Sequence, residues 1–298
     1  MRKLIIILLL TLGLASIASA RVVTVAHGGL TLNASLQEAG PGWPDDPVVL
    51  MVHGTLGHRG MEIMAGLQSM FAARGISSLA INLSLGLDNR APAMYDCATP
   101  HTHRHTDAVG EIGAWLDWLK EEGVGRVALL GHSRGANQVA HFAAATDDPA
   151  VSAVFLIGAQ TWDADADAQG YRKKYDTDLS PLLDRAGKLA AEGKGAELMD
   201  DIDILYCEDT RASAASFLSY HAPDKDMDTP RLIPGIPVPV TVFAGSEDTV
   251  VPDLIEKVEP LAEGERVTLV VIDGADHFFR DLYSEDIADA IAGALEVE

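Results

Sequence analysis

A nucleophilic serine, a histidine and a carboxylate recur in this chain at positions from which they could together carry out acyl transfer. Ser133 sits in Gly131-His132-Ser133-Arg134-Gly135, directly after the apolar run Val127-Ala128-Leu129-Leu130. Val139, Phe142 and Ala143 follow at helical spacing, so the motif is predicted to join a buried strand to a helix. A serine hydroxyl is a poor nucleophile at neutral pH and must be held exposed beside a base. A sharp strand-to-helix turn does this, and Gly131 and Gly135 lack the side chains that would stop it closing. The turn also aims the first amides of the helix, that of Arg134 above all, at whatever the serine attacks. His132 is adjacent to the serine and so points away from it. The base is therefore sought elsewhere, and Gly274-Ala275-Asp276-His277-Phe278-Phe279 offers His277. The turn Gly245-Ser246-Glu247-Asp248-Thr249-Val250-Val251-Pro252 offers an acid to orient it.

These groups need a scaffold that brings them to one edge. Val48-Val49-Leu50-Met51-Val52 reads as a buried strand running into His53-Gly54-Thr55-Leu56-Gly57, where a glycine-bearing turn lets the Thr55 amide approach a developing oxyanion. Further strands are predicted at Ser78–Leu83, Val151–Ala159, Val238–Ala244 and Arg266–Asp273. The acid and the histidine each fall just past the carboxyl end of a strand, the edge where open α/β sheets build their sites. Val22 to Ala39 holds two alternating runs separated by Gly28-Gly29, an antiparallel hairpin at the sheet edge. Strands and helices then alternate, the pattern of a mostly parallel sheet flanked by helices on both faces. Asp107 to Glu122 carries Val109, Ile112, Leu116 and Leu119 on one stripe, with Trp115 and Trp118 beside it as packing groups. Residues 161–237 contain no convincing strand. Helices are expected there after the Ser180-Pro181 cap and from Thr210 to Tyr220.

With these landmarks the chain resembles the α/β-hydrolase fold superfamily from about Val48 to the C-terminus, in the Ser, Asp, His order that superfamily uses. The resemblance implies that Ser133 is the nucleophile, His277 the general base and Asp248 its orienting acid. It also implies that the backbone amides of Thr55 and Arg134 form the oxyanion hole. Glu247 is the nearest rival acid, and Asp276 lies beside His277. It implies a helical cap made by residues 161–237 over a core of 21–160 and 238–298, and substrate choice set by that cap. Carboxylic ester hydrolysis through an acyl-enzyme ranks first, on a small-molecule ester substrate and without metal or cofactor. A peptidase or amidase of the same fold is the alternative, and a non-catalytic binding protein on the same scaffold is the third reading.

Other features bear on compartment and partners. Residues 1–20 combine Arg2-Lys3, an apolar stretch from Leu4 to Leu14 and Ala18-Ser19-Ala20, the pattern of a secretory signal peptide cleaved near Ala20. An uncleaved anchor is the alternative. After cleavage an exported chain, periplasmic or extracellular and without stable membrane insertion, is expected. With 22 Lys and Arg against 44 Asp and Glu, the net charge of −22 argues against nucleic acid and anionic membrane surfaces as partners. Oligomeric state is not legible. The two cysteines, Cys97 and Cys207, invite a disulfide in an exported protein, with two free thiols as the alternative. His101, His103 and His105 alternate after Cys97. Extended, they would point to one side, either as ligands for zinc or copper or as lining of the substrate pocket. Tyr171-Arg172-Lys173-Lys174-Tyr175 is the densest basic cluster; it would attract a substrate anion if it faces the site and be a solvated helix face if it does not.

Overall fold

The computed structural model describes residues 20–295, so the predicted leader, apart from Ala20, lies outside the described residues. The apolar runs become one eight-stranded sheet. β1 (Arg21–His27) and β2 (Leu30–Gln37) pair antiparallel through a turn at Gly28 and Gly29, whose φ values of 58° and 84° suit glycine. The remaining sheet strands are β3 (Val48–Val52), β4 (Ser77–Asn82), β5 (Val127–His132) and β6 (Val151–Ile157), followed after the insertion by β9 (Val240–Gly245) and β10 (Val267–Ile272). Their order is β1-β2-β4-β3-β5-β6-β9-β10; β2 runs antiparallel to β4, and every pair from β4 to β10 is parallel.

The continuous apolar runs are explained by burial on both faces. Along β3, Val48, Leu50 and Val52 join one apolar cluster while Val49 and Met51 join the other. The same alternation divides Val127 and Leu129 from Ala128 and Leu130 on β5, as the two-residue period of a strand requires. On the first face lie α2 (Asp107–Glu121) and α3 (Arg134–Ala145), and on the second α1 (Glu62–Ala73) and α9 (Leu282–Leu295). The buried face of α2 is rotated slightly from the predicted stripe. Trp115 is wholly inside with Ile112, Leu116 and Leu119, Val109 is only partly covered, and Trp118 meets Trp115 edge-on at 5.7 Å.

The insertion is where the sequence reading needs amending. It holds α4 (Ala164–Tyr175), α5 (Leu179–Ala191) and α6 (Ala214–His221) as expected of a helical segment, but also an antiparallel hairpin, β7 (Leu198–Ile204) and β8 (Cys207–Ser213). Residues 210–213, expected in a helix, are the last turn of strand before α6, whose N-cap is Ser213. The helix α5 starts at Leu179 with Asp178 at its N-cap, ahead of the predicted Ser180. These elements share a small apolar cluster that includes Met199, Ile204, Ala212 and Phe217. The short helices α7 (Thr229–Leu232) and α8 (Leu254–Val258) complete the α-helices among the described residues.

Cys97 and Cys207 are joined in a disulfide with Cα atoms 5.3 Å apart, tying the segment after β4 to the start of β8. The same segment is stitched further: the His101 amide donates to Arg211 O and the Ser213 amide to His101 O, both at 2.8 Å. Thr210 Oγ1 donates to Cys97 O at 2.6 Å, and Ser216 Oγ to His103 O at 2.6 Å. Residues 97–105 thus form a strap between the insertion and the sheet. No helix among the described residues is long and apolar enough to cross a membrane.

Candidate active site

The turn from β5 into α3 places Ser133 at φ 57°, ψ −123°, a conformation that a non-glycine residue adopts only when its surroundings impose it. The surroundings do so through close backbone approach. A Cβ at Gly131 would lie 2.4 Å from Gly135 O, and one at Gly135 would lie 2.3 Å from His53 O. The Ser133 amide donates to Ile157 O at 2.9 Å, which anchors the turn to β6. Its side chain projects from this turn, partly accessible, toward the loop after β10.

There His277 Nε2 lies 2.9 Å from Ser133 Oγ, and His277 Nδ1 lies 2.7 Å from Asp248 Oδ2. Asp248 is buried, and its Oδ1 accepts from the amides of Val250 (2.8 Å) and Val251 (3.0 Å). Burial pushes this carboxyl up, but the hydrogen bond and charge of His277 and the two amides outweigh it and hold its pKa below the ordinary value. The rival acids are elsewhere: Glu247 is exposed, and Asp276 is exposed with Arg280 3.6 Å away. His132 points away from Ser133 and has a different task. Its Nε2 donates to His277 O at 2.9 Å, and burial lowers its pKa to about 4, so it stays neutral as a support for the loop. Gly158, at φ 51°, leaves room for the His277 ring, since a Cβ there would meet Nδ1 at 3.2 Å.

The turn that carries Thr55 packs against the serine: a Cβ on Gly54 would lie 3.2 Å from Ser133 Cβ. Arg134 is the first residue of α3, where a helix amide has no intrahelical acceptor, and its side-chain Nε donates to Thr55 Oγ1 at 3.1 Å. The two residues predicted to offer amides are therefore brought together beside Ser133. The turn is braced by Arg90, which motif reading missed because nothing local marks it. Buried in the loop after β4, Arg90 donates to Leu83 O (2.7 Å), Ala93 O (2.9 Å), Gly57 O (2.7 Å) and Asn82 Oδ1 (3.0 Å). His53 completes the brace. Its Nε2 accepts from the Leu83 amide at 3.1 Å while Nδ1 donates to Gly54 O at 2.9 Å, and burial lowers its pKa to about 3.

A cleft of about 620 Å³ opens beside this constellation. Thr55 and Arg134 line it from the sheet side, Trp162, Tyr171 and Tyr206 from the insertion, and Val250 from the loop after β9. Of the three cations in the basic cluster only Lys174 lines the cleft; its Nζ donates to Leu205 O at 2.7 Å and lies over the Tyr206 ring. Arg172 is turned away and paired with Asp178 at 2.6 Å, and Lys173 is exposed, so the anion-attracting role considered for them is not supported by their placement. His101, His103 and His105 are all buried in the strap. His103 Nδ1 lies 2.7 Å from the Tyr220 hydroxyl and His105 Nε2 lies 2.7 Å from Asn137 Oδ1, while His101 stacks on Tyr95. Among the described residues, no group of three or more His, Cys, Asp or Glu side chains is arranged to hold a metal ion.

A hydroxyl bonded to an imidazole, whose other nitrogen is bonded to a buried carboxylate, can lose its proton while it attacks an electrophile. The comparisons with known proteins fit a scaffold for such chemistry. The chain is similar in structure to Est1E from Butyrivibrio proteoclasticus (16% identity, TM-score 0.64, covering 93% of this chain and 99% of that one). It is similar also to the alpha/beta hydrolase GrgF from Penicillium sp. sh18 (18% identity, TM-score 0.67, covering 93% and 98%). A third likeness is to a monoacylglycerol lipase from Paleococcus ferrophilus (18% identity, TM-score 0.60, covering 89% and 98%). A search of curated proteins by sequence finds no match. The sequence pattern of the alpha/beta hydrolase family matches residues 49–290, which is most of the chain, and the protein belongs to that family.

Proposed function

We propose that the protein is a serine hydrolase that cleaves carboxylic esters by two-step acyl transfer. The observation that carries this reading is the unbroken pair of hydrogen bonds, 2.9 Å and 2.7 Å, that links Ser133 Oγ through His277 to Asp248. His277 takes the proton of Ser133 as its oxygen attacks the acyl carbonyl. Asp248 holds the imidazole in the tautomer with Nδ1 protonated and favours the imidazolium that forms. The oxyanion sits on the amides of Thr55 and Arg134. His277 then protonates the leaving alkoxide, and water, activated by the same imidazole, attacks the acyl-enzyme to release the acid.

Residues 161–237 act in this reading as a cap that walls the cleft from one side and sizes the substrate. The cap is fixed by the disulfide and the 97–105 strap. The disulfide also accords with export of the chain, whose substrate would then be a small extracellular or periplasmic ester.

The test is turnover of p-nitrophenyl esters from acetate to decanoate, with Ser133→Ala as control and fluorophosphonate labelling in parallel. Hydrolysis and labelling that both depend on Ser133 are expected. Labelling without ester turnover would move the substrate to amides, and the absence of both would leave a binding protein on a hydrolase scaffold.

A further inference from the structure

Two arginines hold the turns of the catalytic edge, Arg90 buried and Arg134 partly buried, and they are treated differently by the protein around them. Every nitrogen of the Arg90 guanidinium has an acceptor within the fold. Arg134 has a single hydrogen bond among the described residues, from Nε to Thr55 Oγ1 at 3.1 Å. Its Nη1 is enclosed with no acceptor, and its guanidinium lies over the Tyr220 ring, 5.3 Å from the centroid. Tyr220 cannot supply a compensating charge, because burial raises its pKa above the ordinary value and keeps the phenol neutral. A guanidinium with one nitrogen closed off from water and no anion beside it is unfavourable, and arginines in such places ordinarily have a partner. The chain has 44 acidic residues, yet among the described residues none pairs with this one.

The acids of the cleft are engaged elsewhere. Asp163 Oδ1 caps α4 through the amides of Asp165 and Ala166 at 3.0 Å. Asp253 accepts from Thr161 Oγ1 at 2.6 Å and pairs with Lys257 at 3.1 Å. Asp167 lies 3.4 Å from His221 Nδ1 and reaches Arg134 only through its longer-range field. The other cleft cation, Lys174, is already bonded to Leu205 O. The guanidinium is held by Thr55 on one edge and by Tyr220 on one face, so its direction is fixed; Nη1 is enclosed, and Nη2 is the nitrogen left to the cleft that Arg134 lines.

We propose that Arg134 binds a carboxylate carried by the substrate, so that the preferred ester bears a negative charge a few bonds from the scissile carbonyl. The inference rests on the serine-hydrolase reading above and names its substrate class. The short distance follows from placement: Arg134 is the residue after Ser133, and its side chain is bonded to Thr55, so a group on its Nη edge is next to the reacting carbonyl. The acids along the cleft repel anions in general. An ester carboxylate is therefore accepted only where it meets the arginine directly in a charge-assisted hydrogen bond, which makes the contact one of short-range recognition. The carboxylate can belong to the acyl part or to the alcohol part of the ester.

The test compares matched pairs of esters. For the acyl part, monoethyl succinate, glutarate and adipate are set against ethyl butanoate, pentanoate and hexanoate. For the alcohol part, the acetate esters of glycolic and 3-hydroxypropanoic acid are set against ethyl and propyl acetate. The readout is the ratio of kcat/KM between charged and neutral members, in which any shared effect on the α3 amide or on folding cancels. In the wild type the charged ester is expected to lead in one of the two series. In Arg134→Gln the ratio in that series falls by about 10- to 100-fold, the range expected for a charge-assisted hydrogen bond. Arg134→Lys falls between them, because it keeps the charge and loses the planar group that Thr55 and Tyr220 hold in direction. A ratio that favours the neutral ester in both series, or one that Arg134→Gln leaves unchanged while Ser133-dependent turnover persists, overturns this inference alone. If Ser133 neither labels nor turns over any ester, the hydrolase reading fails. The arginine is then judged by calorimetric titration of adipate and of acetoxyacetate into Ser133→Ala. Binding that disappears with Arg134→Gln upholds the anion site, and no binding ends it.

Discussion

At the edge of the sheet, Ser133, His277 and Asp248 are fixed by backbone: a turn at positive φ, glycines in direct contact with neighbouring carbonyls, and loops pinned by amide hydrogen bonds. The insertion, by contrast, is attached through one disulfide and through a few backbone and side-chain hydrogen bonds to the 97–105 strap. The first region leaves little room for a different residue at each place. The second can change its lining while keeping its attachment. In the proposed function that contrast separates the chemistry, which belongs to the edge, from substrate choice, which is assigned to the cleft wall and to Arg134.

The comparison is tested most severely at the edge. Ser133→Ala is expected to lower kcat by about 10⁶, close to the loss of the whole triad, because the three groups act as one unit. Circular dichroism of that variant should be unchanged, and residual turnover within a hundredfold of wild type would remove Ser133 from the mechanism. Asp248→Asn comes next, with an expected loss in kcat of about 10³–10⁴ from stabilising the wrong histidine tautomer. Glu247→Gln and Asp276→Asn serve as controls on exposed carboxylates, and a larger loss in either than in Asp248→Asn would reassign the orienting acid.

The same contrast explains which features were legible in the sequence. Ser133, His277 and Asp248 could be read because a strand ending in glycine-flanked chemistry has few three-dimensional solutions, and β3, β5, β9 and β10 lie within two residues of the predicted runs. The hairpin of the insertion could not be read. Leu198–Ile204 contains three aspartates, and the register of β7 on β8 shifts twice, so the period-two pattern that marks a strand is broken. Asp201 and Asp209 adopt positive φ within these strands, which a propensity argument does not anticipate. Arg90 was invisible for another reason. Its acceptors Gly57 and Leu83 come from separate loops, and no local spacing encodes a group whose meaning is tertiary. The Arg134 side chain was silent likewise, because only its placement over Tyr220 in the folded chain gives it significance.

The attachment of the insertion gives the next prediction. A disulfide that closes a loop of this length contributes about 2–5 kcal/mol to stability. Replacing Cys97 and Cys207 together by serine should therefore lower the unfolding free energy by that amount in urea titration. The effect on kcat for a small ester such as the acetate should be slight, since the triad is built without the strap. If the double variant keeps wild-type stability but loses acetate turnover, attachment and chemistry are coupled, and the division drawn between the two regions is wrong.

The strap and the core also differ in their response to acid. Burial lowers the folded-state pKa of His101 to about 4 and of His103 and His105 to about 3. In the unfolded chain each titrates near the ordinary value of about 6.5. Above that pH both states are neutral and these groups confer no pH dependence. Below it the unfolded chain binds protons that the folded protein cannot, so stability falls as pH drops from about 6.5 toward 4, by up to about 1.4 kcal/mol per pH unit for each group. His53 and His132, lowered to about 3 and about 4, act in the same direction from the core side. His101 offers the cleanest separation of strap from core. Neither of its ring nitrogens has a hydrogen-bond partner among the described residues, and its ring stacks on Tyr95 at 4.7 Å. His101→Phe keeps the stacking, removes one protonation site and leaves no donor or acceptor stranded. It should flatten the slope of stability against pH between 6.5 and 4 by about 1.4 kcal/mol per unit while leaving stability at pH 8 equal or higher. An unchanged slope would mean that the strap opens before the rest of the protein unfolds and exposes its histidines to water while the sheet is still intact. The insertion would then be a separately melting unit, and the acid response would belong to His53 and His132 beneath the catalytic edge.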